Sequence, residues 1–325
     1  MIIALGTACK KDNHKTITPV ADTPGITSPE YIDKLLFVNQ NNYHITTSQP
    51  ATFSSADPNI HITGAGGIST MTSGEIVAIQ VKWKDSTVKP ITIYALGATD
   101  INQLQPAATY HGELATDPYA NYVQGWKLLQ TLPDANNTYA LVLRHADASF
   151  GHDWTTTHTG PEPANWWKST DSTLARQLNT QGIQRATDLG VLFKQLGYPV
   201  KRVFTSEYYR SRQTADLIAA TPNYTIDPRI NHLTHNDYAP GIFNGVLAIA
   251  GAQPIDNQMT LIITHHPGNE PLMNNGYATF PTVSAFNWSG SYFIHIGKDS
   301  VMTYAGAVTY GMLKYHHDLV KGIIK

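Results

Sequence analysis

The stretch YALVLRHADAS, residues 139–149, is an apolar run that stops on an arginine and a histidine, Arg144 and His145. Tyr139 to Leu143 do not alternate with polar residues, so they read as a strand buried on both faces. A buried strand fixes whatever stands at its carboxyl end. Here it carries a guanidinium and an imidazole to one point.

Two further predicted strands end in the same manner. VKRVFT (200–205) leads into Ser206, and SEYYRSRQTADLIAAT (206–221) predicts a helix with Ser206 as N-cap and Arg210 in its first turn. MTLIIT (259–264) leads into His265 and His266. Between the first two runs, TQGIQRATDLGVLFKQLG (180–197) places Ile183, Ala186, Leu189, Leu192 and Phe193 at helical spacing, with Gly197 as a C′ stop. SYFIHIGKDSVMTYAG (291–306) reads as a late hairpin. Strand and helix in alternation predict a three-layer α/β/α arrangement around a mostly parallel sheet. Ligands of open α/β sheets bind outside the carboxyl ends of the strands. Two histidines and two arginines meeting there, beside a helix N-terminus, suit a multiply charged anion.

The text before this region differs. KLLFV (34–38), YHITT (43–47), IHIT (60–63), IVAIQVKW (76–83) and PITIYAL (90–96) are short runs separated by turn signals such as DPN and GAGG. They predict a small all-β sandwich over 27–98. FSSADPNIHITGAGGISTMTSGEIVAIQV (53–81) resembles bacterial immunoglobulin-like repeats, which implies a spacer. Residues 99–137 read as a connection with one helix around NYVQGWKLLQTL. At the start, MIIALGTACKKDN resembles the end of a bacterial lipoprotein signal, with small residues before Cys9, and residues 10–26 read as a tether. That resemblance implies lipidation of Cys9 and a lipid-anchored or exported location in the cell envelope, with membrane contact only through this anchor.

Composition narrows the field. The 325 residues are 42% hydrophobic and 14% charged, with a formal net charge of −2, so no basic footprint for nucleic acid exists. A single cysteine excludes an internal disulfide framework.

LVLRHADAS (141–149), RQLNTQG (176–182), TSEYYRSRQTA (205–215) and LIITHHPG (261–268) together resemble, in order, the landmarks of the histidine phosphatase superfamily, in its phosphoglycerate-mutase-like and phosphohistidine-phosphatase-like branch. The resemblance spans about 138–320 and implies the histidine phosphatase fold for a domain at 138–325. It implies a metal-independent, cofactor-free phosphomonoester hydrolase acting on a small phosphorylated substrate. His145 would be the nucleophile that becomes phosphohistidine, and Arg144, Arg210 and His265 would hold the phosphoryl oxygens. Aligning the strand end favours His265 over His266 as the second histidine. Arg176, Ser206, His266 and Glu270 would line the substrate site. Asp237 is the candidate general acid, and Glu270, Asp147 and Glu207 also stand near the strand tips. A phosphomutase acting on a phosphosugar and a non-catalytic phosphate-binding module remain as alternatives.

Three other features invite a reading. His152, Asp153 and His158 fit no metal-ligand spacing and are expected on a substrate-facing loop. Trp166 and Trp167 could stack on a sugar or pack on the sheet. His316 and His317 are expected at a solvated helix end.

Overall fold

The structure is a computed structural model that describes residues 24–26, 35–37, 43–58, 60–64, 66–70, 76–96, 120–154, 159–232, 235, 242–265 and 288–324. The N-terminal strands are β1 (Leu35–Phe37), β2 (Tyr43–His44), β3 (Ala51–Ser54), β4 (Ile60–Ile62), β5 (Gly67–Thr70), β6 (Ile76–Trp83) and β7 (Val88–Leu96). They form one sheet ordered β1-β7-β6-β3 and another ordered β2-β5-β4. Ile68 of the smaller sheet and Ile45, just after β2, share one buried cluster with Ile79, Val81, Trp83, Ile91 and Ile93 from the larger. Alternation along β3, exposed residue after half-buried residue, is what a sheet with one solvated face requires.

The rest of the chain builds a second core around α1 (Ala120–Leu129), β8 (Thr138–Arg144), α2 (Thr180–Gln195), β9 (Val200–Thr205), α3 (Tyr209–Ile218), β10 (Thr225–Ile226), α4 (Ile242–Gly251), β11 (Met259–Thr264), β12 (Ser291–Ile296), β13 (Met302–Val308) and α5 (Tyr310–Val320). Its sheet is ordered β10-β9-β11-β8-β12-β13. The first four strands are parallel, and β12 pairs antiparallel with both of its neighbours. The mostly parallel sheet and the late hairpin agree with the sequence. From β8 the chain steps through α2 and α3 toward β10, then returns through α4 to β11. Right-handed crossovers therefore place α4 on the face opposite α2 and α3. The reversal falls between β8 and β11, where the chain leaves toward opposite edges of the sheet. That is where such folds leave a crevice.

Helix α2 starts where Asn179 accepts the Gly182 amide at 2.8 Å and stops before Gly197, whose φ is 71°. Ala186, Leu189, Leu192 and Phe193 are buried as their spacing predicts, but Ile183 is 45% exposed. It sits in the first turn, beyond the edge of the packed face. The expected solvated end at His316 and His317 is also corrected. Both are buried on α5, with His316 edge-on to Trp126 and His317 Nε2 against Gln195 Oε1 at 2.5 Å. Trp126 and Leu129 of α1 belong to the same core as β8, so α1 is packed into the α/β body.

Candidate active site

Three strand ends lie level with one another. Arg144 stands opposite Thr264, and Ile263 opposite Thr205. The ladder then continues one rung past the strands: His145 N donates to Thr264 O at 2.9 Å, and Ser206 N donates to Ile263 O at 3.1 Å. Backbone pairing thus extends to the residues that carry the chemistry. Ala146 N donates to Thr214 Oγ1 on α3 at 3.1 Å, which fixes the chain just after His145.

His145 is 4% exposed, and its Nδ1 lies 2.8 Å from the Ala146 carbonyl. A carbonyl only accepts, so Nδ1 carries the proton and Nε2 the lone pair. Arg210 Nε donates to that Nε2 at 3.1 Å. Burial, then the charges of Arg210 and Arg144, hold the imidazole well below its ordinary pKa. It is a neutral, oriented base at physiological pH.

The His265 ring stands 5.1 Å from that of His145, centroid to centroid, and edge-on. Its Nε2 is 2.9 Å from Ser206 Oγ, while its buried Nδ1 has no hydrogen-bond partner among the described residues. Burial and the Arg210 charge keep it neutral as well. Ser206 was expected to cap the helix. Instead α3 begins at Tyr209, with Tyr208 at the cap position, and the Ser206 hydroxyl is turned to His265.

Arg210, on the first turn of α3, is buried, and its Cζ lies 4.4 Å over the Tyr208 ring. Its Nη1 donates to Asp153 Oδ1 at 3.2 Å. Arg144 projects beside Trp288, with Cζ 5.3 Å from the ring. Burial lowers both arginines to about 10, and both remain cations at neutral pH. Arg176 is partly exposed and ties its Nε to Asp153 Oδ2 at 2.8 Å.

Two nearby carboxylates are held ionised. Burial raises the Asp153 carboxyl, but Arg210 and Arg176 outweigh it and the net shift is downward. Glu207 is likewise lowered against its burial by Lys168, at 2.6 Å, and by Asn231, at 2.9 Å. Neither is a proton donor in this arrangement. Asp147 is buried beside this group and leaves Oδ1 without a partner among the described residues. Asp237, His266, Glu270 and Cys9 lie outside the described residues.

The structure thus brings together His145, Arg144, Arg210, His265 and Ser206, with Arg176 one ion pair away. It adds Asp153, which the sequence placed only on a substrate-facing loop, and Tyr208, whose ring lies 4.6 Å from that of His265. Trp167 stacks on His235 at 3.9 Å and the buried Trp166 meets the same ring edge-on, so both tryptophans pack within the protein. Among the described residues, no group of histidines, cysteines and carboxylates is arranged to hold a metal.

No family model and no curated protein matches the chain. Several solved structures are similar to it. A protein histidine phosphatase SixA complexed with tungstate aligns at 16% identity and a TM-score of 0.37, over 53% of this chain and 97% of its own. A phosphoserine phosphatase from Entamoeba histolytica aligns at 10% identity and 0.33, over 54% of this chain and 99% of its own. A phosphoglycerate mutase from Plasmodium falciparum aligns at 15% identity and 0.29, over 52% and 89%. Scores of this size carry no weight beside the geometry of the strand tips.

Proposed function

We propose that the α/β body is a phosphomonoester hydrolase of the histidine phosphatase superfamily, working without metal through a phosphohistidine on His145. The state of His145 supports this most directly: a buried, neutral imidazole whose Nδ1 proton is committed to Ala146 O, leaving Nε2 as the basic nitrogen beside Arg210. A non-catalytic anion site gains nothing from a neutral histidine held in one tautomer at its centre.

In this reading an incoming phosphoryl oxygen takes the Arg210 Nε–H, which releases the Nε2 lone pair. Nε2 attacks phosphorus in line, forming the N–P bond as the P–O bond to the leaving group breaks. The leaving oxygen takes a proton from a donor acid. Water then gives a proton back to the acid's conjugate base as its oxygen attacks phosphorus, the N–P bond breaks with its electron pair returning to Nε2, and inorganic phosphate departs with the water's oxygen. Arg144, Arg210 and His265 bind the three equatorial oxygens and offset charge that builds in the transition state. Glu207 and Asp153, held ionised, do not supply the proton; Asp237 is the proposed acid, as the sequence suggested, with Asp147 and Glu270 the other candidates. His266 and Glu270 are proposed substrate contacts on the segment after β11.

His145→Ala is expected to abolish phosphate release from an aryl phosphate and acid-labile labelling by the substrate's phosphorus, with little change in thermal stability. Activity within about tenfold of wild type would overturn the assignment. From the sequence we also propose an envelope lipoprotein anchored through Cys9, with the N-terminal β domain as an immunoglobulin-like spacer. Cys9→Ser should leave the membrane fraction; unchanged fractionation would remove the anchor.

A further inference from the structure

We infer that Asp153 is the positioning residue of this site: it clamps Arg210 and Arg176 together and thereby fixes the plane of the Arg210 guanidinium against His145. The inference rests on the phosphatase reading above but concerns a residue outside the family landmarks.

Asp153 is 7% exposed and accepts from Arg176 N at 3.1 Å and Arg210 Nη1 at 3.2 Å on Oδ1, and from Arg176 Nε at 2.8 Å on Oδ2. A guanidinium is planar, so two in-plane donors with fixed acceptors define its orientation. Arg210 has two such anchors, His145 Nε2 through Nε and Asp153 through Nη1. An entering phosphoryl oxygen must take the first. Among the described residues, the Asp153 bond is then the in-plane hydrogen bond that holds the guanidinium over the Tyr208 ring while the anion is bound.

The carboxylate itself stands on a rigid support. His152 N donates to Ser172 O at 3.0 Å and Trp154 N to Leu174 O at 2.8 Å, so Asp153 is pinned between two backbone bonds. Gly151 makes the approach possible: its φ is 78°, and a Cβ there would lie 2.2 Å from Ser172 O. Charge gives the clamp a second effect. Arg144, Arg210 and Arg176 repel one another, and Asp153 offsets the charge of Arg210 and Arg176.

The test is Asp153→Asn in the full-length protein, which keeps the volume and removes the charge, compared with Arg210→Ala and with the double variant. The expected result is a fall in kcat of about tenfold to a hundredfold, the range for a lost charge-assisted hydrogen bond. Inorganic phosphate should inhibit the variant as strongly as wild type or more so, because the uncompensated arginines still attract an anion. The double variant should be no slower than Arg210→Ala alone, since Asp153 acts through Arg210. Wild-type kcat in Asp153→Asn, or losses that add in the double variant, would overturn the clamp. Neither outcome touches the nucleophile assignment, which stands or falls on His145→Ala.

Discussion

Ser206 Oγ and His265 Nε2 lie 2.9 Å apart, both buried, joining residues 59 positions apart in the chain. The bond settles what each side chain does. The hydroxyl occupies one ring nitrogen and so leaves the other, Nδ1, as the atom that can meet a ligand.

Ser206→Ala therefore has a defined consequence. It strands a buried ring nitrogen, for which Ser211 Oγ at 3.5 Å is a poor replacement. Phosphatase activity is expected to fall by about tenfold, the cost of one unmade buried hydrogen bond near 1–2 kcal/mol. Steady-state kinetics beside a thermal melt will check it; an unchanged kcat/KM would free His265 from any dependence on Ser206.

Arg210→Lys keeps the charge and loses the fork. One ammonium cannot reproduce the planar pair of bonds from Nε to His145 and from Nη1 to Asp153. The expected loss in kcat is on the order of a hundredfold or more, as for other donors aimed at developing charge. Tungstate or phosphate affinity should weaken less than kcat does. A lysine variant that turns over at wild-type rate would show that a point charge suffices.

A backbone contact governs stability rather than turnover. Gly125 of α1 meets β13 so closely that a Cβ there would lie 1.9 Å from Ala307 O, and Gly306, at φ 115°, faces it from the strand. Gly125→Ala must push α1 off the sheet and is expected to cost about 2 kcal/mol or more. Gly64→Ala, with no atom within 4 Å of the new methyl, serves as the harmless control. Equal urea midpoints for the two variants would refute the contact.

These residues also show what the sequence revealed and where it fell silent. Strands β8 and β11 were legible because unbroken apolar runs have few other uses, and β9 because it stands between two helical patterns; the ends of β8 and β11 located Arg144, His145 and His265 without any knowledge of tertiary structure. Asp153 had no such signature. Its partners lie 23 and 57 residues away, and nothing local marks a carboxylate that will meet two arginines. Ser206 misled because a serine between a strand and a helix satisfies the capping pattern, whereas the helix starts only at Tyr209. His316 and His317 misled for the opposite reason: polar residues near a chain end look solvated until α1 and α2 cover them.

The buried histidines set the pH dependence of folding. His316 is held at about 4 by burial, then by its neighbour His317, and its Nε2 has no partner among the described residues. Burial also keeps His145 and His265 below their ordinary values. A histidine depressed in the fold binds its proton more readily when unfolded. Its contribution is complete above about pH 6.5 and is lost as pH falls toward 4. For His316 the difference amounts to on the order of 2–3 kcal/mol across that window. His316→Phe keeps an aromatic edge on Trp126 and removes the titration. Urea unfolding at several pH values between 7.5 and 4.5 is expected to show wild-type stability falling with pH and the variant falling less, by up to about 1.4 kcal/mol per pH unit. Parallel pH profiles would mean that His316 takes up no extra proton on unfolding, and the acid sensitivity would then belong to the two histidines at the strand tips.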